Sequence, residues 1–212
     1  MPQATISIDS YSQNGEDLVV LSALAGIKQG TFMDIGAGDG LRFSNSKALV
    51  DRGWSGVLVE PGLAAFAALQ TIHSGNDKLT LVHAAVGGYN SLVEFHDCGD
   101  LYSTTETANH AKWAKYCKEQ GIPFKPAYYI PQVSVDVLLD KFPIQWDVLS
   151  VDTEGTSVAV LSRCMKRMAS YPPRCIVVEH DGGQAVCMSI VGSRYECIAD
   201  TRENLVLLRR DK

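Results

Sequence analysis

Residues 31–40, with the sequence TFMDIGAGDG, decide the fold of this chain. The apolar run at residues 31–35 predicts a short buried strand, and it leads directly into a turn that contains three glycines. Glycines after a strand let the backbone turn sharply and let a ligand approach the main chain closely. This stretch therefore predicts a nucleotide-like ligand at the carboxyl end of the first strand.

The rest of the chain repeats the alternation of strand and helix. Four further apolar runs predict strands, at residues 56–60, 79–86, 146–152 and 175–179. Four segments predict helices, at residues 12–26, 44–52, 63–72 and 157–169. Residues 195–199 and 205–208 predict a closing antiparallel hairpin, and residues 91–95 an added strand. Near-continuous apolar strands are typical of a parallel sheet with helices on both faces, so the expected fold class is α/β.

The composition is that of a globular protein. Of the 212 residues, 46% are hydrophobic and 20% are charged, which excludes disorder, collagen-like repeats and a coiled coil. We expect one domain over residues 1–212, because a chain of this length can bury a sizeable core. Residues 97–131 interrupt the strand–helix alternation, so we interpret them as an insertion or lid.

Charge and hydropathy argue against several kinds of partner. The net charge of −5 disfavours non-specific nucleic-acid binding, which depends on clustered Lys and Arg. No apolar run approaches the roughly 20 residues that cross a bilayer, so no membrane partner is expected. The chain begins without a signal-peptide pattern and its six cysteines form no C-x-x-C pair, which together predict a cytoplasmic protein with reduced thiols. The oligomeric state stays open, a dimer included.

One group of residues suggests a zinc site. His96, Cys98, His110 and Cys117 lie near one another in the sequence and are of the types that ligate zinc. Structural zinc sites usually contain two closely spaced ligand pairs, and only the first pair is close here. We therefore favour unrelated polar and core residues, with zinc as the alternative.

Acidic residues near the glycine turn distinguish between nucleotide-like ligands. Glu60 ends the second predicted strand, where a carboxylate can accept hydrogen bonds from a ribose diol. Dinucleotide enzymes share this arrangement, but their G-x-G-x-x-G pattern requires a glycine at the position of Leu41. Asp34 would attract an ammonium and repel a pyrophosphate, unless it only caps the loop. S-adenosylmethionine carries an ammonium and a sulfonium and no phosphate, so it fits this turn better.

Four segments together resemble a known family. They are residues 11–17 (YSQNGED), 32–40 (FMDIGAGDG), 44–61 and 147–155 (DVLSVDTEG). They are similar to the FkbM family of S-adenosylmethionine-dependent methyltransferases, and with the closing hairpin they span nearly the whole chain. The resemblance implies a Rossmann-like class I methyltransferase fold, with a seven-stranded, mostly parallel sheet and a C-terminal antiparallel hairpin.

The resemblance also assigns residues to the cofactor, S-adenosyl-L-methionine. It implies that Asp34 and the glycine turn line the methionine end, that Glu60 binds the ribose, and that residues 84–86 bind the adenine. The complete set of cofactor residues is Gln13, Glu16, Asp34, Gly36, Ala37, Gly38, Asn45, Glu60, Ala85 and Asp152.

A second acidic group follows the strand predicted at residues 146–152. Asp152 and Glu154 lie where that strand ends at the expected switch point of the sheet, close to the transferred methyl group in such a fold. A sugar-type hydroxyl is a poor nucleophile until a base removes its proton, which contributes about 10²–10⁴-fold. The candidate bases are Asp152, Glu154, Glu179 and His180, although a lone histidine often has only a structural role.

The same carboxylates raise the question of a metal. Asp152, Glu154, Glu179 and Asp181 could together hold Mg²⁺, which would acidify and orient a coordinated hydroxyl. Helix capping by Glu154 and a solvated loop at Asp181 explain these residues equally simply, so we favour a mechanism without metal.

The expected function is transfer of a methyl group from S-adenosylmethionine to a hydroxyl of a small molecule, with a sugar or glycoside favoured as the acceptor. The predicted catalytic residues are Asp152, His180 and Glu154. Two alternatives stay open: an NAD-dependent oxidoreductase, and a non-catalytic module that binds S-adenosylmethionine.

Overall fold

The computed structural model describes residues 10–97, 103–105, 107–121 and 126–210. The helices are α1 (Glu16–Ala23), α2 (Lys47–Asp51), α3 (Leu63–Ile72), α4 (Thr107–Gln120), α5 (Val135–Lys141), α6 (Ser157–Arg167) and α7 (Gln184–Val191). The strands are β1 (Thr31–Ile35), β2 (Ser55–Glu60), β3 (Leu79–His83), β4 (Ala85–Gly87), β5 (Ser91–Phe95), β6 (Tyr128–Ser134), β7 (Val148–Val151), β8 (Cys175–Glu179), β9 (Tyr195–Asp200) and β10 (Asn204–Arg209).

Seven strands form the main sheet in the order β3-β2-β1-β7-β8-β10-β9. β1 pairs in parallel with β2 on one side and with β7 on the other, while β10 runs antiparallel to β8 and β9. The predicted fold class and the closing hairpin are therefore confirmed. The chain leaves β1 toward β2 and β3 and later returns to β7 and β8, so the crevice beside the end of β1 is the switch point where such sheets bind ligands.

Two hydrophobic clusters cover the two faces of this sheet. Met33 and Ile35 of β1 pack with side chains of α5, α6 and α7, whereas Phe32 packs with side chains of α1, α2 and α3. Because successive residues of a strand point to opposite faces, this division places helices on both faces of the sheet, as predicted. In the described ranges, no helix is both long and apolar enough to cross a membrane.

The strand predicted at residues 79–86 is two strands that belong to different sheets. β3 pairs in parallel with β2 as far as His83, opposite Glu60. After Ala84 the chain changes partner, and β4 pairs with β6 in a second sheet of order β4-β6-β5. The continuous apolar run hid this change, because both strands are apolar and no turn residue separates them.

The predicted insertion at residues 97–131 contains regular structure. It includes α4 and the first part of β6, which lies between β4 and β5. The sequence also failed to predict α7. Residues 98–102, 106 and 122–125 lie outside the described residues, and with them Cys98 of the zinc alternative.

The helix predicted at residues 12–26 begins only at Glu16. Gly15 precedes it with a φ of 89°, which ends the irregular segment before the helix. That segment is held instead by Asp17, which accepts hydrogen bonds from the Ser12 hydroxyl at 2.8 Å and from the Tyr11 backbone N–H at 2.8 Å. The extent of a single domain over residues 1–212 stays a prediction.

Candidate active site

A cavity of about 570 Å³ opens at the carboxyl ends of the central strands. The turn after β1, the ends of β2, β7 and β8, and residues 84–86 contribute to its walls. Eight of the predicted cofactor-binding and catalytic residues line it: Gln13, Gly36, Ala37, Gly38, Glu60, Ala85, Asp152 and Glu154. The structure therefore brings most of the predicted site to one place, at the switch point of the sheet.

The glycine turn passes directly against the loop that follows β7. Gly36 has a φ of 90°, and a Cβ atom placed on it would lie 1.6 Å from the carbonyl oxygen of Asp152. No side chain fits that space, so glycine is required by both conformation and contact. The backbone N–H of Gly36 also donates to the Val59 carbonyl at 2.8 Å, which ties the turn to β2. Backbone atoms therefore form the floor of the cavity at this point.

Glu60 joins the turn to the end of β2. Its carboxylate accepts hydrogen bonds from the Gly38 N–H at 2.8 Å and from the Gly62 N–H at 2.6 Å. Burial raises the pKa of Glu60 to about 7 in spite of these two donors. Each carboxylate oxygen keeps a lone pair for a further donor, which a ribose hydroxyl can supply.

The wall beyond Glu60 is apolar. Ala84, Ala85 and Val86 are buried and line the cavity beside Phe95 of β5. Apolar side chains suit the faces of a purine ring, so an adenine contact at Ala85 stays a prediction.

Three carboxylates converge on the opposite side, formed by β7 and β8. One oxygen each of Asp152, Glu154 and Glu179 lies within 4.8 Å of the others. Glu179 accepts hydrogen bonds from the Ser157 hydroxyl at 2.7 Å and from the Glu154 N–H at 3.1 Å. Burial, and then the charges of Glu179 and Glu154, holds the pKa of Asp152 well above its ordinary value. Asp152 and Glu179 are hydrogen-bonded to each other, and burial also raises the pKa of Glu179.

Two residues on this side adopt a conformation that usually requires glycine. Glu154 has a φ of 50° and Asp181 a φ of 46°. The left-handed conformation costs a residue with a side chain about 1–2 kcal/mol. Such strain is typical of functional sites, where surrounding contacts impose it.

The trio of Asp152, Glu154 and Glu179 fits a divalent cation by ligand type, because Mg²⁺ prefers oxygen donors. One oxygen of Glu179 already accepts hydrogen bonds from the Ser157 hydroxyl and the Glu154 N–H, which leaves fewer lone pairs on that oxygen for a cation. If a metal were bound, these three residues would hold it and it would acidify the acceptor hydroxyl.

Four of the predicted site residues do not line the cavity, and two of them, Asp34 and Asn45, lie behind its wall. Asp34 is 2% exposed and accepts a hydrogen bond from the Ser46 hydroxyl at 2.6 Å, while burial raises the pKa of Asp34. Asn45 donates to the Ser150 hydroxyl at 3.2 Å, which links the segment before α2 to β7. Both residues support the strands under the site, so a direct contact of Asp34 with the cofactor ammonium stays a prediction.

Glu16 and His180 also lie outside the cavity lining. Glu16 is fully buried beneath the turn between β9 and β10. His180 Nδ1 accepts a hydrogen bond from the Gly182 N–H at 3.0 Å, and Nε2 lies 3.7 Å from a carboxylate oxygen of Asp200. The ring therefore faces the hairpin, which favours the Asp152–Glu179 pair over His180 as the base.

Several lining residues carried no signal in the sequence. They are Arg42 and Phe43 after the glycine turn, residues 103–105 from the predicted insertion, and Arg202 and Glu203 from the turn between β9 and β10. The Thr104 hydroxyl donates to the Glu154 carbonyl at 2.8 Å, so the insertion contacts the acidic side directly. Only the fold brings these distant segments together.

Comparison with known families agrees with this geometry. The model of a family described as the methyltransferase FkbM domain matches residues 34–188, which is more than half of the chain. The chain therefore belongs to the FkbM methyltransferase domain family, and it is an S-adenosylmethionine-dependent methyltransferase. This confirms the predicted family and cofactor and disfavours the NAD-dependent alternative.

Two solved structures are similar to this chain at low identity. The C-terminal domain of precorrin-6Y C5,15-methyltransferase from Rhodobacter capsulatus is 12% identical, with a TM-score of 0.50 over 99% of this chain and 97% of that chain. The putative methyltransferase yhhF from Escherichia coli is 11% identical, with a TM-score of 0.48 over 100% and 92% of the two chains. The first likeness shows a shared fold only. A search of curated proteins found no matching relative.

Proposed function

We propose that this protein transfers a methyl group from S-adenosylmethionine to a hydroxyl oxygen of a small molecule, with a sugar or glycoside as the favoured acceptor. The observation that carries this proposal is the convergence of Asp152, Glu154 and Glu179 at the edge of the cavity, where one carboxylate oxygen of each lies within 4.8 Å of the others. A carboxylate of this trio can accept the proton that a hydroxyl acceptor loses as it attacks.

The residues divide between the two reactants. The glycine turn, Glu60 and residues 84–86 bind the cofactor, in the order methionine end, ribose and adenine. Asp152, Glu154 and Glu179 lie across the switch point from the adenine slot, so we assign them to the acceptor. We call these the cofactor side and the acceptor side of the cavity.

The chemical step is a displacement at the methyl carbon. When bound, S-adenosylmethionine supplies an electrophilic methyl group whose bond to sulfur breaks as the acceptor oxygen bonds to carbon. The Asp152–Glu179 pair takes the hydroxyl proton, and the backbone floor at Gly36 aligns the reacting atoms. The Glu154 carboxylate orients the acceptor. The hydrogen bond from the Glu154 backbone N–H to Glu179 holds Glu154 in place.

Titration calorimetry and a transfer assay test this proposal together. Calorimetry measures the affinity for S-adenosylmethionine and S-adenosylhomocysteine, and methyl-labelled cofactor reports transfer to a panel of neutral sugars, glycosides, amines and thiols. Label recovered as an ether on a hydroxyl compound is the expected result. Label recovered only on nitrogen or sulfur would contradict O-methylation, and binding without transfer would favour the non-catalytic alternative.

A further inference from the structure

The YSQNGED segment at residues 11–17 is attached to the turn of the closing hairpin. Glu16 is fully buried, and its carboxylate accepts hydrogen bonds from the Asn14 N–H at 2.9 Å and the Thr201 hydroxyl at 2.8 Å. It also accepts one from the Asn204 side-chain amide at 3.1 Å. These donors keep Glu16 ionised, because together they lower its pKa in spite of the burial that raises it. One carboxylate therefore fixes the start of α1 to the turn between β9 and β10.

Two more hydrogen bonds hold the same turn. The Asn14 side-chain amide donates to a Glu203 carboxylate oxygen at 2.6 Å, and the Glu203 carbonyl accepts from the His180 N–H at 3.0 Å. Gln13, Arg202 and Glu203, which we call the hairpin wall, line the cavity as a result. Residues 13–14 and 202–203 thus form one surface, and Glu16 is buried beneath it.

The hairpin wall lies on the acceptor side of the cavity. In the main sheet β10 is next to β8, on the opposite side of β1 from β2 and β3. Glu60 at the end of β2, and Ala85, which follows β3, lie on the β2 and β3 side of β1. The hairpin wall therefore continues the surface that begins at Asp152 and Glu179.

The charges on this surface are mostly negative. Asp181 and Glu203 add two carboxylates to the acidic trio. In the described part of the lining the cations are Arg42, which lies 2.9 Å from Asp39, and Arg202, which lies 3.6 Å from Glu203. A phosphate or carboxylate on the acceptor would approach carboxylates and meet arginines that already pair with carboxylates.

We propose that the hairpin wall recognises the methyl acceptor, that Glu16 positions this wall, and that the acceptor is a hydroxyl compound with no phosphate or carboxylate. The proposal rests on the methyl transfer proposed above. Gln13 contributes an amide donor and acceptor for hydroxyl groups, and Glu203 contributes an acceptor that also attracts an amine.

The positioning role is tested on cofactor-bound protein with Glu16→Ala, Glu16→Gln and Asn14→Ala. We expect affinity for S-adenosylhomocysteine to stay within about twofold of wild type. Hydrogen exchange should rise at residues 10–17 and 201–204 and stay unchanged at residues 36–40. Glu16→Gln should be intermediate, because it keeps one acceptor oxygen. Tyr195→Phe is the control, since it removes a buried 2.6 Å hydrogen bond to the Pro173 carbonyl outside the cavity.

Saturation-transfer NMR with saturating S-adenosylhomocysteine tests the acceptor class with methyl glucoside, glucosamine and glucose 6-phosphate. We expect signals from the first two probes and none from the phosphate. Glu16→Ala should lower the signals about tenfold, and Glu203→Gln should lower the glucosamine signal alone. If Glu16→Ala does not fold, Asn14→Ala carries the same expectation.

Three results would overturn this inference: binding of the phosphate as strong as that of methyl glucoside, no signal from any probe, or a tenfold loss of S-adenosylhomocysteine affinity in Asn14→Ala. A wild-type protein that does not bind S-adenosylhomocysteine would overturn the proposed function instead, so the two failures are distinguishable.

Discussion

The cofactor side of the cavity presents mainly backbone and apolar side chains, whereas the acceptor side presents carboxylates. On the cofactor side, one short stretch around Gly36 and Glu60 provides the polar contacts. On the acceptor side, the ends of β7 and β8, the insertion and the hairpin turn each contribute. This difference indicates that local backbone geometry holds the cofactor, and that side chains from distant segments contact the methyl acceptor.

The largest expected effect is that of Gly36→Ala. A Cβ atom there would lie 1.6 Å from the Asp152 carbonyl oxygen, so the glycine turn and the β7 loop must separate. We expect a loss of about 2–5 kcal/mol in the free energy of unfolding and loss of cofactor binding. Gly38→Ala is the matched control: its φ is 59° but nothing lies within 4 Å of its Cβ position, so it should lose only about 1 kcal/mol. Equal effects in thermal melts would contradict this account of the turn.

Asp152→Asn should impair the acceptor side of the cavity and leave the cofactor side intact. We expect methyl transfer to fall by about 10²–10⁴-fold, because the pair with Glu179 can no longer accept the proton. Affinity for S-adenosylhomocysteine should change little, since Asp152 contacts the cofactor side through its backbone carbonyl. His180→Gln is the comparison, and its transfer rate should stay near wild type. A rate loss in His180→Gln with an active Asp152→Asn would assign the base to the histidine.

Glu60→Gln tests the cofactor side alone. Replacing the carboxyl group by an amide removes one acceptor oxygen and should weaken S-adenosylhomocysteine binding about tenfold, as expected for the loss of one hydrogen bond. The rate at saturating cofactor should be unchanged. Glu94→Gln, an exposed residue of β5, is a suitable control in the same calorimetry.

The pH dependence of the rate follows from the Asp152–Glu179 pair. Burial and neighbouring carboxylates raise the pKa of Asp152, and burial raises that of Glu179. The reactive form is the one with a free carboxylate, so the rate at saturating substrates should rise with pH above the ordinary carboxyl range. Asp152→Asn should remove this dependence. A rate that falls as pH rises would mean that the pair acts in its protonated form.

The smallest expected effect is that of metal removal. Because one oxygen of Glu179 already accepts hydrogen bonds from Ser157 and Glu154, transfer should survive chelation and should not respond to added Mg²⁺. Loss of transfer on chelation, restored by Mg²⁺, would show that the acidic trio is a metal site.

The residues of the cofactor side could be predicted from the sequence because their contacts are local. A strand, a glycine turn and a carboxylate at the next strand end lie within residues 31–60, and their geometry follows from backbone rules. The acceptor side required the fold: nothing near Glu203 indicates that its turn is bonded to Asn14. Glu16 shows the same limit, since an acidic residue in a motif suggested ligand binding, and only the structure revealed its hairpin donors.

Calorimetric titration of the wild-type protein with S-adenosylhomocysteine is the direct test of cofactor binding at the glycine turn. We expect saturable binding at one site, retained in Asp152→Asn and lost in Gly36→Ala. No heat of binding up to high micromolar ligand in folded wild-type protein would contradict it.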